Sequence, residues 1–167
     1  LAFAGDMRDP SVCEGAVDAA LQRFGALQIL VNNAGVAAFV NVADTTDLEW
    51  DAMIGTNLTA AFRITRAALP HLARQGGHVV MISSLAGANA NPGMAAYAAS
   101  KAALDQFARC LLLEVRQQGH ARPGVAGNHL FFHRIGAELR LFQELRQPRA
   151  TGQQRLRGGV EVGGELG

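Results

Sequence analysis

The sequence predicts an α/β protein: a doubly wound parallel sheet in a three-layer α/β/α arrangement. Three observations predict it. Short apolar runs of strand length, at 27–31 and 78–83, alternate with longer stretches whose apolar residues recur at helical spacing. The resulting order of strand, helix, strand, long helix, strand, helix is the rhythm of a parallel sheet covered by helices. The runs also end in small or polar residues, Asn32 to Gly35 and Ser83-Ser84. In such sheets ligands bind beyond the carboxyl ends of the strands, so these residues and Asp6 fall on one rim.

Taken in order, residues 1–4 read as the end of an apolar strand, followed by Gly5-Asp6. Asp9-Pro10 opens a helix, because aspartate caps well and proline is tolerated at the first helical position. Val12, Ala16, Val17, Ala20, Leu21 and Phe24 form its apolar face, and Gly25 closes it. Residues 27–31 read as a buried strand and 36–46 as a loop. A long helical stretch covers 47–74, with Trp50, Met53, Leu58, Phe62 and Leu69 in its stripe. Pro70 is expected to kink or shorten it, and Gly76-Gly77 to stop it. Residues 78–83 form the next strand, 85–93 a loop of small residues, and 94–116 an alanine- and leucine-rich helix. Beyond Gly119 the character shifts to arginine, glycine and glutamine. There 130–145 reads as an amphipathic helix and 151–167 as a flexible tail.

The 167 residues suffice for one domain with a sizeable core. A net charge of +1 points to neither nucleic acid nor a membrane surface as partner. No apolar run is long enough to span a bilayer, and no secretory pattern opens the chain, which begins at Leu1. Cys13 and Cys110 make neither a metal-type spacing nor a disulfide framework. They read as two buried free thiols of a reducing, cytoplasmic compartment, and no metal site is expected.

Tyr97 and Lys101 are four apart on the last helix and share a face. A phenol is a poor acid–base catalyst near neutral pH, and an ammonium beside it favours the phenolate. Such pairs are also common as plain helix-surface neighbours. Ser84 ends a strand thirteen residues before Tyr97. Its hydroxyl could polarise a substrate oxygen or cap a turn. Asn57, a poor helix former on an apolar helix, suggests a buried polar role; the alternative is simple solvation. Asn32-Asn33-Ala34-Gly35 could tie neighbouring strands together and let a cofactor approach the backbone, or be an ordinary turn. Asp6 could accept from an adenine amino group or cap a turn.

As an ordered set, these residues resemble the short-chain dehydrogenase/reductase family of single-domain type. The resemblance rests on Asn32 to Gly35, the serine strand Val79-Val80-Met81-Ile82-Ser83-Ser84 with Leu85-Ala86-Gly87, and Tyr97-Ala98-Ala99-Ser100-Lys101, with the family's spacing from Asn57 and Ser84 to Tyr97. Each motif is modest, but the set is specific, and Tyr97 and Lys101 are the chain's only tyrosine and lysine. The resemblance covers residues 1–119 and implies part of a Rossmann-like fold. It implies an NAD(P)-dependent oxidoreductase that interconverts an alcohol and a carbonyl by hydride transfer. Tyr97 would be the general acid or base and would also contact the cofactor. Lys101 would favour its phenolate and bind the nicotinamide ribose. Ser84 would polarise the carbonyl, and Asn57 would hold a water in a proton relay. Asp6 and Met7 would sit by the adenine, with Asn33, Ala34 and Gly35 along the adenosine ribose. It also implies a homodimer or homotetramer through helices 47–74 and 94–116. It leaves the substrate, and the choice of NAD or NADP, open.

Two departures qualify this. The family opens with a strand and a glycine-rich turn that binds the pyrophosphate at a helix N-terminus, and neither precedes Leu1. Weak cofactor binding by this chain alone is therefore expected. After Gly119 the family continues into a buried strand and a Pro-Gly turn. Here Pro123-Gly124 comes early, without an apolar strand before it. Residues 120–167 thus read as an atypical tail, frameshifted or poorly ordered. The alternative to an active enzyme is a catalytically inactive remnant serving as a dimerising module.

Overall fold

The computed structural model describes residues 1–117 and 130–135. Helix α1 spans Pro10–Phe24. Its N-cap Asp9 accepts from the Ser11 N–H at 2.8 Å, Pro10 takes the first helical position, and Gly25 ends it in the left-handed conformation, φ 77°. Strand β1 is Ile29–Asn32. Helix α2 runs Asp47–Ile54, started by a reciprocal cap in which Thr46 Oγ1 accepts from the Glu49 N–H and Glu49 accepts from the Thr46 N–H. A single π-helical turn, Gly55–Thr59, joins it to α3, Ala60–Gln75. The expected long helix is therefore present, with a one-residue bulge in its middle.

Pro70 does not shorten α3, which continues to Gln75 and stops at left-handed Gly76. Pro70 lies on the exposed side, where water can take the bond its missing N–H forfeits. Buried Ala68 and Leu72 hold the helix on its inner side. Strand β2 is His78–Ser84, and helix α4 is Ala95–Gln117.

Strand β3, Leu130–Ile135, corrects the helix expected over 130–145. An apolar run as short as Leu130-Phe131-Phe132 fits either period, and pairing decides it. Here it lies parallel to β2, Val79 opposite Leu130 and Ser84 opposite Ile135. The expected tail over 151–167 lies outside the described residues. The strand expected over 1–4 does not form: these residues are exposed and pair with no described strand. The ring of Phe3 rests instead beside Gly15 of α1.

The sheet order is β1-β2-β3, all parallel, with Ile29 opposite His78 and Asn32 opposite Met81. Alternation sorts the strand residues by face. Leu30, Val79 and Met81 join Val17 of α1, Ala68 and Leu72 of α3, and Leu104 and Ala108 of α4 in one core. The three helices thus cover the same face. Ile29 and Val31 point the other way and are 57% and 54% exposed. The second helical layer of the expected three is not among the described residues. Asn32 ties the layers together, donating to Thr65 Oγ1 at 3.0 Å and to Met81 Sδ at 3.2 Å.

Candidate active site

The carboxyl ends of β1 and β2 open beside the first turns of α4 and the π turn. A π turn widens the helix by one residue, and such bulges often carry functional side chains. Here it points Asn57 inward, leaving it 1% exposed. Asn57 Oδ1 accepts from the Val36 N–H at 2.7 Å, and its Nδ2 donates to the Val36 carbonyl at 2.9 Å and to Ser100 Oγ at 2.9 Å. Ser100 Oγ in turn donates to the Tyr97 carbonyl at 2.7 Å. One buried amide thus fastens the loop after β1 to the first turn of α4, a polar role for an unusual mid-helix residue.

Lys101 is 5% exposed and donates from Nζ to the Ile82 carbonyl at 2.9 Å. Its Nζ lies 5.9 Å from the centroid of the half-buried Tyr97 ring. Burial pulls the Lys101 amine below its ordinary value, and the charge of Asp105 opposes that. Gly35 brings the β1 loop against this cluster. A Cβ there would stand 3.1 Å from Asn57 Oδ1 and 3.5 Å from Lys101 Nζ, so the glycine permits an approach that a side chain would crowd.

Ser84 closes β2. Its Oγ accepts from the Ala86 N–H at 3.2 Å, capping the short turn Leu85–Gly87. That bond uses an acceptor lone pair and leaves the hydroxyl proton free to donate. The turn packs directly on α4: a Cβ on Gly87 would meet the Ala102 nitrogen and the Lys101 carbonyl carbon, each at 3.0 Å. Ser83 Oγ donates to the Lys101 carbonyl at 3.4 Å.

A groove runs from this cluster along the end of β1, lined by Met7, Asn32, Asn33, Ala34, Asn57 and Ala60 among others. Asp6 stands beyond Met7 and is exposed. Arg8 grips both of its carboxylate oxygens, at 2.7 to 3.1 Å, and holds the Asp6 carboxyl down to about 2. Arg63 of α3 donates to the Arg8 carbonyl. A carboxylate has about four acceptor sites, so a further donor can still share it.

The structure therefore brings Asn57, Lys101, Tyr97 and Gly35 into one cluster and places the Ser84 turn against the same stretch of α4. Met7, Asn33 and Ala34 share the adjoining groove, with Asp6 at its far end. Sequence reasoning passed over Ser100, Gly87 and Asp105. Ser100 lies inside the Tyr97-to-Lys101 interval, where a small residue reads as filler. The charge of Asp105 reads as a solvated helix face, whereas it is 5% exposed. Among the described residues no cluster of His, Cys, Asp and Glu could hold a metal ion, and no helix is long and apolar enough to cross a membrane.

A family model described as short chain dehydrogenase matches residues 1–125. The chain belongs to the short-chain dehydrogenase family. Among its relatives, an uncharacterized NAD-dependent oxidoreductase of Mycobacterium tuberculosis is 40% identical over 121 residues, covering 71% of this chain and 44% of its own length. The oxidoreductase UcpA of Escherichia coli K12 is 38% identical over 120 residues, 71% of this chain and 46% of its own. The crystal structure of a metagenomic short-chain oxidoreductase in complex with NADP superimposes with a TM-score of 0.69 at 31% identity, covering 79% of this chain and 57% of that one. This short-chain dehydrogenase chain thus spans about half the length of the proteins it matches, and its three-strand sheet is the shared Rossmann-like α/β core.

Proposed function

We propose that the protein is an NAD(P)-dependent oxidoreductase interconverting an alcohol and a carbonyl, with Tyr97 as general acid and base. The observation that carries this reading is the joining of Asn57, Gly35, Lys101 and the Tyr97 ring at the carboxyl ends of β1 and β2. Small or exposed residues, Asn33, Ala34 and Gly35, line the approach, which fits a dinucleotide whose ribose must come close to the backbone. Met7 and the Asp6 carboxylate would meet its adenine end, and Lys101 a ribose hydroxyl. When bound, the nicotinamide supplies or accepts the hydride.

The protein's own groups handle the proton. In carbonyl reduction the Tyr97 phenol gives its proton to the substrate oxygen, and in alcohol oxidation its phenolate takes one. The Lys101 ammonium favours the phenolate electrostatically. The free hydroxyl proton of Ser84 donates to the substrate oxygen and stabilises charge developing there. Asn57 holds the π turn, the β1 loop and α4 in register; its fully engaged amide fits a positioning task and leaves its carbonyl oxygen's second lone pair for a water in the relay. The exposed Phe62 and Leu113 on α3 and α4 favour association of two copies through these helices.

The test uses the protein, a panel of small alcohols and ketones, and the absorbance of the reduced nicotinamide. Tyr97→Phe is expected to lower kcat by at least about a hundredfold. Turnover retained in Tyr97→Phe would remove Tyr97 from the reaction.

A further inference from the structure

Buried charges need a reason. Lysine and aspartate are almost never fully buried unless paired, because the interior solvates an ion far less well than water does. Helix α4 buries one of each, Lys101 and Asp105, both 5% exposed and four residues apart on one face. Between and beyond them the helix is apolar: Leu104 is 2% exposed and Ala108 is 0% exposed, and both pack against β2 in the core.

Among the described residues, the groups around the Lys101 ammonium are these. From β2 it meets the Ile82 carbonyl, a dipole. From the β1 loop it meets the Gly35 backbone, with the uncharged Asn57 amide of the π turn against the same glycine. Gly87 of the turn Leu85–Gly87 sits close against the helix backbone at Lys101 and Ala102. Tyr97, on its own helix, is the other titratable neighbour. Among the described residues, the charge of Asp105 opposes the effect of burial on Lys101. The two residues stand one helical turn apart on the same face of α4.

We infer that Asp105 is a positioning residue of this site: its buried carboxylate, one turn beyond Lys101 on α4, supplies the negative charge that keeps Lys101 an ammonium inside the fold. Its importance for turnover rests on the proposed function, in which that ammonium favours the Tyr97 phenolate. Its effect on Lys101 does not rest on it and can be read without cofactor or substrate.

Lys101 is the only lysine of the chain. Lysine labelled with carbon-13 at the ε-carbon therefore gives one lysine signal in the full 167-residue protein, and its midpoint against pH reports Lys101 alone. Asp105→Asn is expected to move that midpoint to lower pH, and Asp105→Glu, which keeps the charge, to hold it near the wild-type position. Asp105→Ser serves as a second neutral variant should the amide disturb folding, with the helical circular dichroism of each variant as the check. An unmoved midpoint in either folded neutral variant overturns the inference, as does an equal fall in Asp105→Glu. Failure of the Tyr97→Phe test would leave this titration as expected, so the two ideas fail separately.

Discussion

Lys101 enters the folded state below its ordinary value of 10.5 because burial disfavours its charge. In the unfolded chain it returns to that value. Between the two, the unfolded chain binds more protons than the folded one, so folding stability rises with pH across that window. Cys13 works with the opposite sign. Burial pushes its thiol above 9.0, so its contribution is present below that value and is lost as pH rises further. Comparing the wild type with Lys101→Met isolates the lysine. In urea unfolding across the alkaline range up to 10.5, wild-type stability should climb relative to the variant. Parallel curves would mean that Lys101 titrates alike in both states. At this scale the sequence marks candidate residues and says little of their environment. The four-residue spacing of Tyr97 and Lys101 puts them on one face whatever surrounds them. That Asp105 lies on the buried side, or that Ser100 links Asn57 to the Tyr97 turn, depends on elements that meet only after folding.

Among the elements, the π turn at Gly55–Thr59 holds the site together. Apolar periodicity reads residues 47–74 as one continuous helix, since an offset of one residue is too small to break the pattern. The oddity legible beforehand was Asn57 itself. Its three hydrogen bonds join α2–α3, the loop after β1 and α4. Asn57→Ala would remove two bonds to the backbone of Val36, which is 43% exposed, and one to buried Ser100. The expected loss is about 2 to 4 kcal/mol of stability, at roughly 1 kcal/mol or more for each bond. Urea denaturation would check it, and amide exchange at Val36 should rise with it; a loss below about 1 kcal/mol would contradict the contribution assigned to these three bonds. Strand β3 was misread for a different reason. Short apolar runs carry no reliable period, and parallel pairing with β2 is a long-range event that local pattern does not encode.

For the whole molecule, the parallel order and the single rim of functional residues were legible because alternation of strands and helices constrains topology strongly. Which face the helices would share was not, since both faces of a buried parallel strand are apolar. The result separates the two cysteines. Cys13, on the inner side of α1, is 0% exposed and donates to the Met7 carbonyl at 3.2 Å, whereas Cys110 is exposed on α4, which corrects the expectation that both thiols are buried. A thiol-specific reagent should therefore label Cys110 rapidly in the native protein. Cys13 should follow only at the rate at which α1 lifts from α3. Peptide mapping of the labelled sites over time checks this, and equal rates at both positions would place Cys13 at the surface.

The extra residue in the helix also says something about how such a site can arise or be lost. Each residue of an α-helix advances the chain by about 100° around its axis. Deleting a single residue within 55–59 would let α2 and α3 merge into one regular helix, at the expense of turning one half by that angle against the other. The amide that now reaches Val36 and Ser100 would swing out of their range while most of the helical hydrogen bonding survived. The constellation is thus sensitive to chain length as well as to residue identity: a one-codon deletion here could leave a folded protein with its Asn57 link broken.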